Sequence, residues 1–280
     1  MRVFAISDLH VDFRENLQWV NGISDCDYRN DVLMIAGDVS HRLDRVASVF
    51  ETLNEKFAHL FFVPGNHDLW VREEGISDSI EKFHRLMDVC AECDVITHPK
   101  QMGDVWIVPL LSWYQLPEWG ADSLFVPKEG EDPSLRMWSD NLYTRWSMDV
   151  NAVVDYFLDL NTPYISKCVD NVPVMTVSHF LPRQELVFST SAERQKVRPG
   201  ARDPHPGFNF SRVAGTSLLD DQIRAWGAHL HVYGHQHRNR DRVLDGVRYV
   251  SHCLGYRRER VWHLVCDLDE GPKQVWPDVS

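Results

Sequence analysis

No stretch of this chain approaches the roughly 18 consecutive apolar residues that a membrane helix requires. The apolar run after Met1-Arg2, Val3-Phe4-Ala5-Ile6, is too short for a signal-peptide core and no small-residue cleavage site follows it. Cysteine is sparse: 6 in 280 residues, at Cys26, Cys90, Cys93, Cys168, Cys253 and Cys266. That scatter excludes a disulfide framework, and free thiols in a cytoplasmic protein are the expectation. Cys90-Ala91-Glu92-Cys93 lacks a second pair at zinc-site spacing, so it reads as two packed thiols at a helix end. Basic residues are also short, 29 against 41 acidic, for a net charge of -12. Bulk electrostatics therefore cannot hold the chain on nucleic acid or anionic lipid. With 44% hydrophobic and 25% charged residues the composition is that of a folded protein.

The apolar pattern of the first third alternates between strand and helix. Arg2–Ser7, Asp31–Ala36 and His59–Val63 are short apolar runs that read as buried strands. Between and after them, Leu43–Phe57 and Ile76–Cys90 carry apolar residues at helical spacing. This rhythm predicts an α/β fold with parallel pairing. Pro109 to Met148 loses all periodicity yet carries Trp113, Trp119, Trp138 and Trp146, so it reads as an ordered, aromatic-rich insertion in a single domain. Further strands are expected at Asp104–Val108, Pro173–Val177, His229–Tyr233 and Val261–Asp267, and helices over Asp149–Leu160 and Thr216–Trp226. Asp245-Gly246 marks a hairpin, and Pro182–Ser211 reads as a long polar loop.

Metal-ligating residue types sit where these strands end. They are Asp8 and His10, Asp38 after Gly37, Asn66-His67-Asp68 after Gly65, His179, and His235 and His237 after Gly234. Ligand sites in open α/β sheets gather outside the carboxyl ends of strands. Asp and His donors with one Asn oxygen suit Mn, Fe or Zn, and the absence of Cys disfavours a thiolate site. Asp8, His10, Asp38, Asn66, His179, His235 and His237 are too many for one tetrahedral ion and suit two divalent ions with a bridge. Strand alternation is expected to aim Asp8 with His10, and His235 with His237, to one side. The preceding glycines are expected to allow sharp turns.

The order D-x-H, G-D, G-N-H-D, H, G-H-x-H resembles that of the calcineurin-like metallophosphoesterase superfamily over roughly Met1 to Asp267, outside the insertion at about 109–148. The resemblance implies a four-layer α/β/β/α sandwich of two mixed sheets. It implies that Asp8, His10 and His237 hold one ion, that Asn66, His179 and His235 hold the other, and that Asp38 bridges them. It assigns His67 as the acid facing the leaving group, with Asp68 orienting its ring. A hydroxide between the ions would attack phosphorus, and His67 would protonate the departing alkoxide.

Arg183, Arg194, Lys196, Arg198 and Arg202 after His179, and Arg238, Arg240 and Arg242 after His237, either grip an anion or line a solvated loop. Arg183 is the candidate substrate contact because of its proximity to His179. Trp113 either roofs the site or holds a mini-core. The expected partner is a small phosphomonoester or phosphodiester. A nucleic-acid polymer would need a long basic track that this chain lacks. The alternatives are a catalytically weak scaffold that uses the insertion for protein binding, or a nuclease.

Overall fold

The computed structural model describes residues 1–72, 75–165, 172–201, 203 and 205–277. Cys168 and Arg202 lie outside these. The first unit runs β1 (Val3–Ile6), α1 (Arg14–Asn21), β2 (Val32–Ala36), α2 (Leu43–Asn54), β3 (His59–Val63) and α3 (Ser79–Glu92). Then come β4 (Lys100–Met102), β5 (Val105–Pro109), α4 (Asp140–Tyr143), α5 (Val150–Ile165) and β6 (Val174–Val177). The chain continues through α6 (Gln184–Val187), α7 (Ser191–Lys196), α8 (Leu218–Ala225) and β7 (Leu230–Tyr233). It ends with β8 (Arg240–Leu244), β9 (Val247–Ser251), α9 (Arg257–Val261) and β10 (Lys273–Trp276).

Two mixed sheets result, ordered β10-β1-β2-β3 and β4-β5-β6-β7-β9-β8. β1, β2 and β3 pair in parallel, as do β5, β6, β7 and β9; the outer strands β10, β4 and β8 are antiparallel. Period-2 alternation divides each buried strand between two cores. Val3, Ala5, Met34 and Phe61 share a cluster with Ile107, Met175, Val232 and Val250 of the opposing sheet. Phe4, Ile6, Leu33, Ile35 and Phe62 point the other way, into the helical layer. There Phe50 of α2 meets Phe62 edge-on at 5.1 Å, and Phe83 of α3 meets Phe157 of α5 at 5.2 Å. This is the expected α/β/β/α sandwich, and both faces of each sheet are covered, which is why the strands read as continuous apolar runs.

Several elements differ from the sequence reading. Helix α3 starts at Ser79 rather than Ile76, because the Asp78 carboxylate accepts from the N–H groups of Ile80 and Glu81. Val261–Asp267 is not a strand. A Glu259 oxygen accepts from the Tyr256 N–H at 2.8 Å and starts the helical turn α9, and within Val261–Asp267 only Val265 is buried. The last strand is β10 instead, whose single buried residue, Val275, left no pattern to read. Pro182–Ser211 is not one loop but carries α6 and α7, the latter opened by a Thr190–Glu193 capping box. No helix among the described residues is long and apolar enough to cross a membrane.

The segment from Leu110 to Ser139 has no regular structure and is held by side chains. Trp113 is buried against Tyr114, Trp146, Phe157 and Phe180 at 4.9–6.3 Å between ring centres. The buried Glu118 carboxylate accepts from the Leu124 N–H, the Thr216 hydroxyl and the Ser217 N–H, at 2.7, 2.8 and 2.7 Å. It ties the insertion to the start of α8. Trp113 thus anchors this mini-core rather than facing substrate. We predict that Trp113→Ala lowers stability by about 3–5 kcal/mol, read from the urea midpoint, while the metal content of the folded fraction is unchanged.

Candidate metal centre

The carboxyl ends of β1, β2, β3, β6 and β7 lie on one rim of the sandwich. Backbone hydrogen bonds join the end of β1 to that of β2 and the end of β6 to that of β7: Asp8 N–H to Gly37 O, His10 N–H to Asp38 O and Gly234 N–H to His179 O, all at 2.9 Å. The means of convergence is not strand alternation. Asp8, His10, Asp38, His235 and His237 all have left-handed backbone, with φ of 52, 41, 59, 72 and 53°. Such conformations are strained for residues with a Cβ and persist where surrounding structure over-determines them. Of the three glycines, only Gly37 has positive φ. Gly65 is required for space: a Cβ there would lie 2.2 Å from Asp38 Oδ1 and 2.7 Å from His179 Cε1.

Two groups of donors face each other across Asp38. Ligand atoms of Asp8, His10, Asp38 and His237 all lie within 4.8 Å of one another, and these residues are buried. On the other side, Asn66 Oδ1 is 3.1 Å from His179 Nε2 and 3.0 Å from His235 Nδ1. Asp38 spans them, with Oδ2 3.7 Å from His10 Nε2 and Oδ1 3.6 Å from His179 Nε2.

The outward hydrogen bonds decide what the inward atoms are. His179 Nδ1 is 2.8 Å from Ala36 O, and His235 Nε2 is 2.8 Å from Val213 O. A carbonyl accepts only, so both nitrogens carry the proton and the inward nitrogens are bare lone pairs. Asn66 is fixed likewise: its Nδ2 donates to Asp140 Oδ1 at 2.8 Å, so its oxygen faces inward. Two imidazole lone pairs and an amide oxygen therefore converge with no proton between them, an arrangement that a cation relieves.

Electrostatics point the same way. Burial, then mutual charge, pushes His10 down to about 3, and burial also lowers His179 and His235, so these rings are neutral. Burial, followed by the charges of Asp68 and Asp8, raises Asp38 well above the usual carboxylate range. Burial would also raise Asp8, but His237 outweighs it and keeps that carboxylate low. Burial opposes a proton on His237, yet Glu259 and Asp8 hold one there, a proton that a divalent cation would displace. N and O donors in this arrangement fit divalent ions well.

The sequence reading missed two residues. Glu259 Oε2 lies 2.8 Å from His237 Nδ1, the carboxylate–histidine support typical of metal ligands. Asp140, in the insertion, accepts from Asn66, from Trp70 Nε1 at 2.7 Å and from the Tyr114 hydroxyl at 3.0 Å. Neither follows a strand, and neither is part of the quoted motifs, so only the fold brings them in. We predict that Glu259→Gln weakens metal affinity about 10–100-fold, measured by competition with a chromogenic chelator.

Asp68 does not orient His67. Its oxygens accept from the backbone N–H groups of Asp38, Val39, Ser40 and Gly65 at 2.8–3.1 Å. It thereby fixes the loop of Asp38 relative to that of Gly65-Asn66. The His67 ring instead stacks on Trp70 at 3.6 Å, and its Nε2 is 3.8 Å from Asp38 Oδ2. With 20% of its side chain exposed, against 2% for His10 and 0% for His179, it is open to an incoming molecule.

Arg183 is not at this centre. It pairs with Glu185 at 2.6 Å and Asp245 at 2.8 Å, in a separate polar pocket beside α8. Arg240 and Arg242 are committed too, both to Glu193 and to carbonyls of the segment before it. Beside His237 runs a groove of about 600 Å³ instead. Phe188, Phe208, Phe210 and Trp262 line it, with Arg238 and Arg258 among its cationic groups.

Comparisons with known proteins agree with this geometry. The family model for calcineurin-like phosphoesterases matches residues 1–239. The chain is 28% identical to acyl-carrier-protein phosphodiesterase PptH of Mycobacterium tuberculosis, over 92% of this chain and 78% of that protein. It is 22% identical to the uncharacterized protein L509 of Acanthamoeba polyphaga mimivirus, over 93% of each chain. The crystal structure of phosphopantetheinyl hydrolase PptH from M. tuberculosis shares the fold, with a TM-score of 0.77 at 24% identity over 99% of this chain and 96% of that one. With its strand-end donors and its matching profile, the chain belongs to the calcineurin-like phosphoesterase family and is a metal-dependent hydrolase of phosphoester bonds.

Proposed function

We propose that the chain is a phosphodiesterase that cleaves a small prosthetic arm from a carrier protein, using two divalent ions. Asp8, His10 and His237 would hold one ion and Asn66, His179 and His235 the other, with Asp38 between the two groups. The convergence of two imidazole lone pairs and the Asn66 oxygen beside the four-residue Asp/His group carries this reading. The N/O donor set favours Mn, Fe or Zn. Such ions supply Lewis acidity and a water acidified toward hydroxide.

The protein's own groups do the rest. Glu259 and Asp140 orient ligands, and Asp68 locks the loops of Asp38 and Asn66 together. His67, lowered by burial and then by the neighbouring histidines, is neutral in the free protein. It takes up a proton as the anionic substrate arrives and delivers it from its ring to the leaving oxygen. Trp70 holds the plane of that ring.

The diester preference rests on the groove. A diester is a monoanion with two substituents, and apolar walls beside His237 give one of them a place to lie. The PptH relative, named for an acyl-carrier-protein diester, supports the same class. The test is turnover by metal-loaded protein of bis-nitrophenyl phosphate, nitrophenyl phosphate and a carrier-borne phosphopantetheine arm. Diester kcat/KM exceeding monoester by about tenfold or more, with release of the arm, is expected. A preference for the monoester and no release from the carrier would overturn the reading.

A further inference from the structure

Helices α1 and α9 are distant in sequence but form one surface. The buried Asn16 side chain donates to Leu9 O and Gly255 O at 2.8 and 2.9 Å, and its oxygen accepts from Arg260 at 2.9 Å. Phe13 meets Tyr256 at 5.2 Å between ring centres, and Tyr256 lies 4.7 Å from the His10 ring and 4.8 Å from that of His237. The surface therefore continues directly from the metal centre.

Its outer face is unusual in two ways. Phe13, Leu17 and Val261 are 51, 37 and 48% exposed, although large apolar side chains here are mostly buried. Arg14, Arg257 and Arg258 have no acidic partner among the described residues, whereas Arg2, Arg42, Arg183, Arg224 and Arg242 are each ion-paired. Of the acids on the same two helices, Glu259 is bound to His237, and Glu15 acts on Arg260. The face thus presents uncompensated positive charge in a chain of net charge -12.

We infer that the α1–α9 face docks an acidic protein surface, presenting that protein's phosphodiester to the adjacent metal centre. Exposed aromatic and aliphatic side chains on two helices that also carry exposed arginines match the composition of protein interfaces. Three arginines without a phosphate-spaced track do not match a nucleic-acid site. The arginines steer and orient the acidic partner, and Phe13, Leu17 and Val261 supply the apolar contact. The inference rests on the carrier-protein reading above and adds where the carrier sits.

The experiment compares the wild type with Arg14→Glu/Arg257→Glu, both metal-loaded, on two substrates. These are a phosphodiester arm on an acidic carrier protein and free bis-nitrophenyl phosphate. The variant is expected to raise KM for the carrier about tenfold, with kcat/KM for the free diester unchanged and the unfolding midpoint unmoved. Added salt should raise the wild-type KM for the carrier and hardly affect the variant. An unchanged carrier KM, or equal loss on both substrates, would overturn the docking site. Competition by single-stranded nucleic acid that is lost in the variant would overturn its assignment to protein. If the wild type cleaves the free diester but never the carrier-borne arm, the carrier-protein reading itself fails, and the docking site falls with it.

Discussion

Asp38→Ala is expected to give a folded protein with at most one tightly held divalent ion per chain and no measurable diesterase activity. Asp38 faces both donor groups, with one oxygen toward His10 and the other toward His179. Removing a single preorganised charge-stabilising group commonly costs about 10²–10³ in kcat, and loss of a group shared by two ions should exceed that. Unfolding should not be the cause. Burial and the charges of Asp68 and Asp8 already oppose ionisation of Asp38, so the metal-free variant should match or exceed the wild type in urea midpoint. Elemental analysis after reconstitution gives the ion count. Two ions per chain with activity intact would remove Asp38 from the role of bridge.

His67→Ala is expected to keep both ions and to lose about 10²–10⁴-fold in kcat on an alkyl diester. The ring is in reach of the donors but is stacked on Trp70 and partly exposed, so its loss should empty no ligand position. A nitrophenolate leaving group hardly needs a proton, so bis-nitrophenyl phosphate should lose much less. That difference separates proton delivery from phosphate binding. Equal losses for good and poor leaving groups would mean that His67 acts on the phosphate and not on the leaving oxygen.

The parts of this molecule that repeat a local rule were legible without coordinates. β2 and β3 are apolar at every position or nearly so because both faces of their sheet are covered, and that pattern shows in sequence. The gathering of the candidate donors was legible because parallel strands must all present their carboxyl ends on one side, whatever lies between them. Elements held by a single buried side chain were not legible. β10 has one, and α9 begins at a carboxylate that also serves His237.

The distribution of arginine roles was equally hidden. Arg183 stands four residues after His179, yet Asp245 and Glu185 draw it into another pocket; Arg257, far from any motif, is exposed on the outer face of α9. Sequence proximity fixes only the backbone, whereas a long side chain goes to the charge that the tertiary structure brings near. The same holds for Asp140 and Asp68. A carboxylate's partners, an Asn66 amide in one case and backbone N–H groups in the other, are chosen by the packing of distant segments. The sequence by itself determined the α/β rhythm, the rim and the donor residues, because these follow from periodicity and strand direction, while the two-sheet sandwich was implied by the resemblance of the motif order. Only the tertiary structure decided which nitrogen of each histidine faces inward, because that depends on the carbonyls of Ala36 and Val213, which no local pattern places.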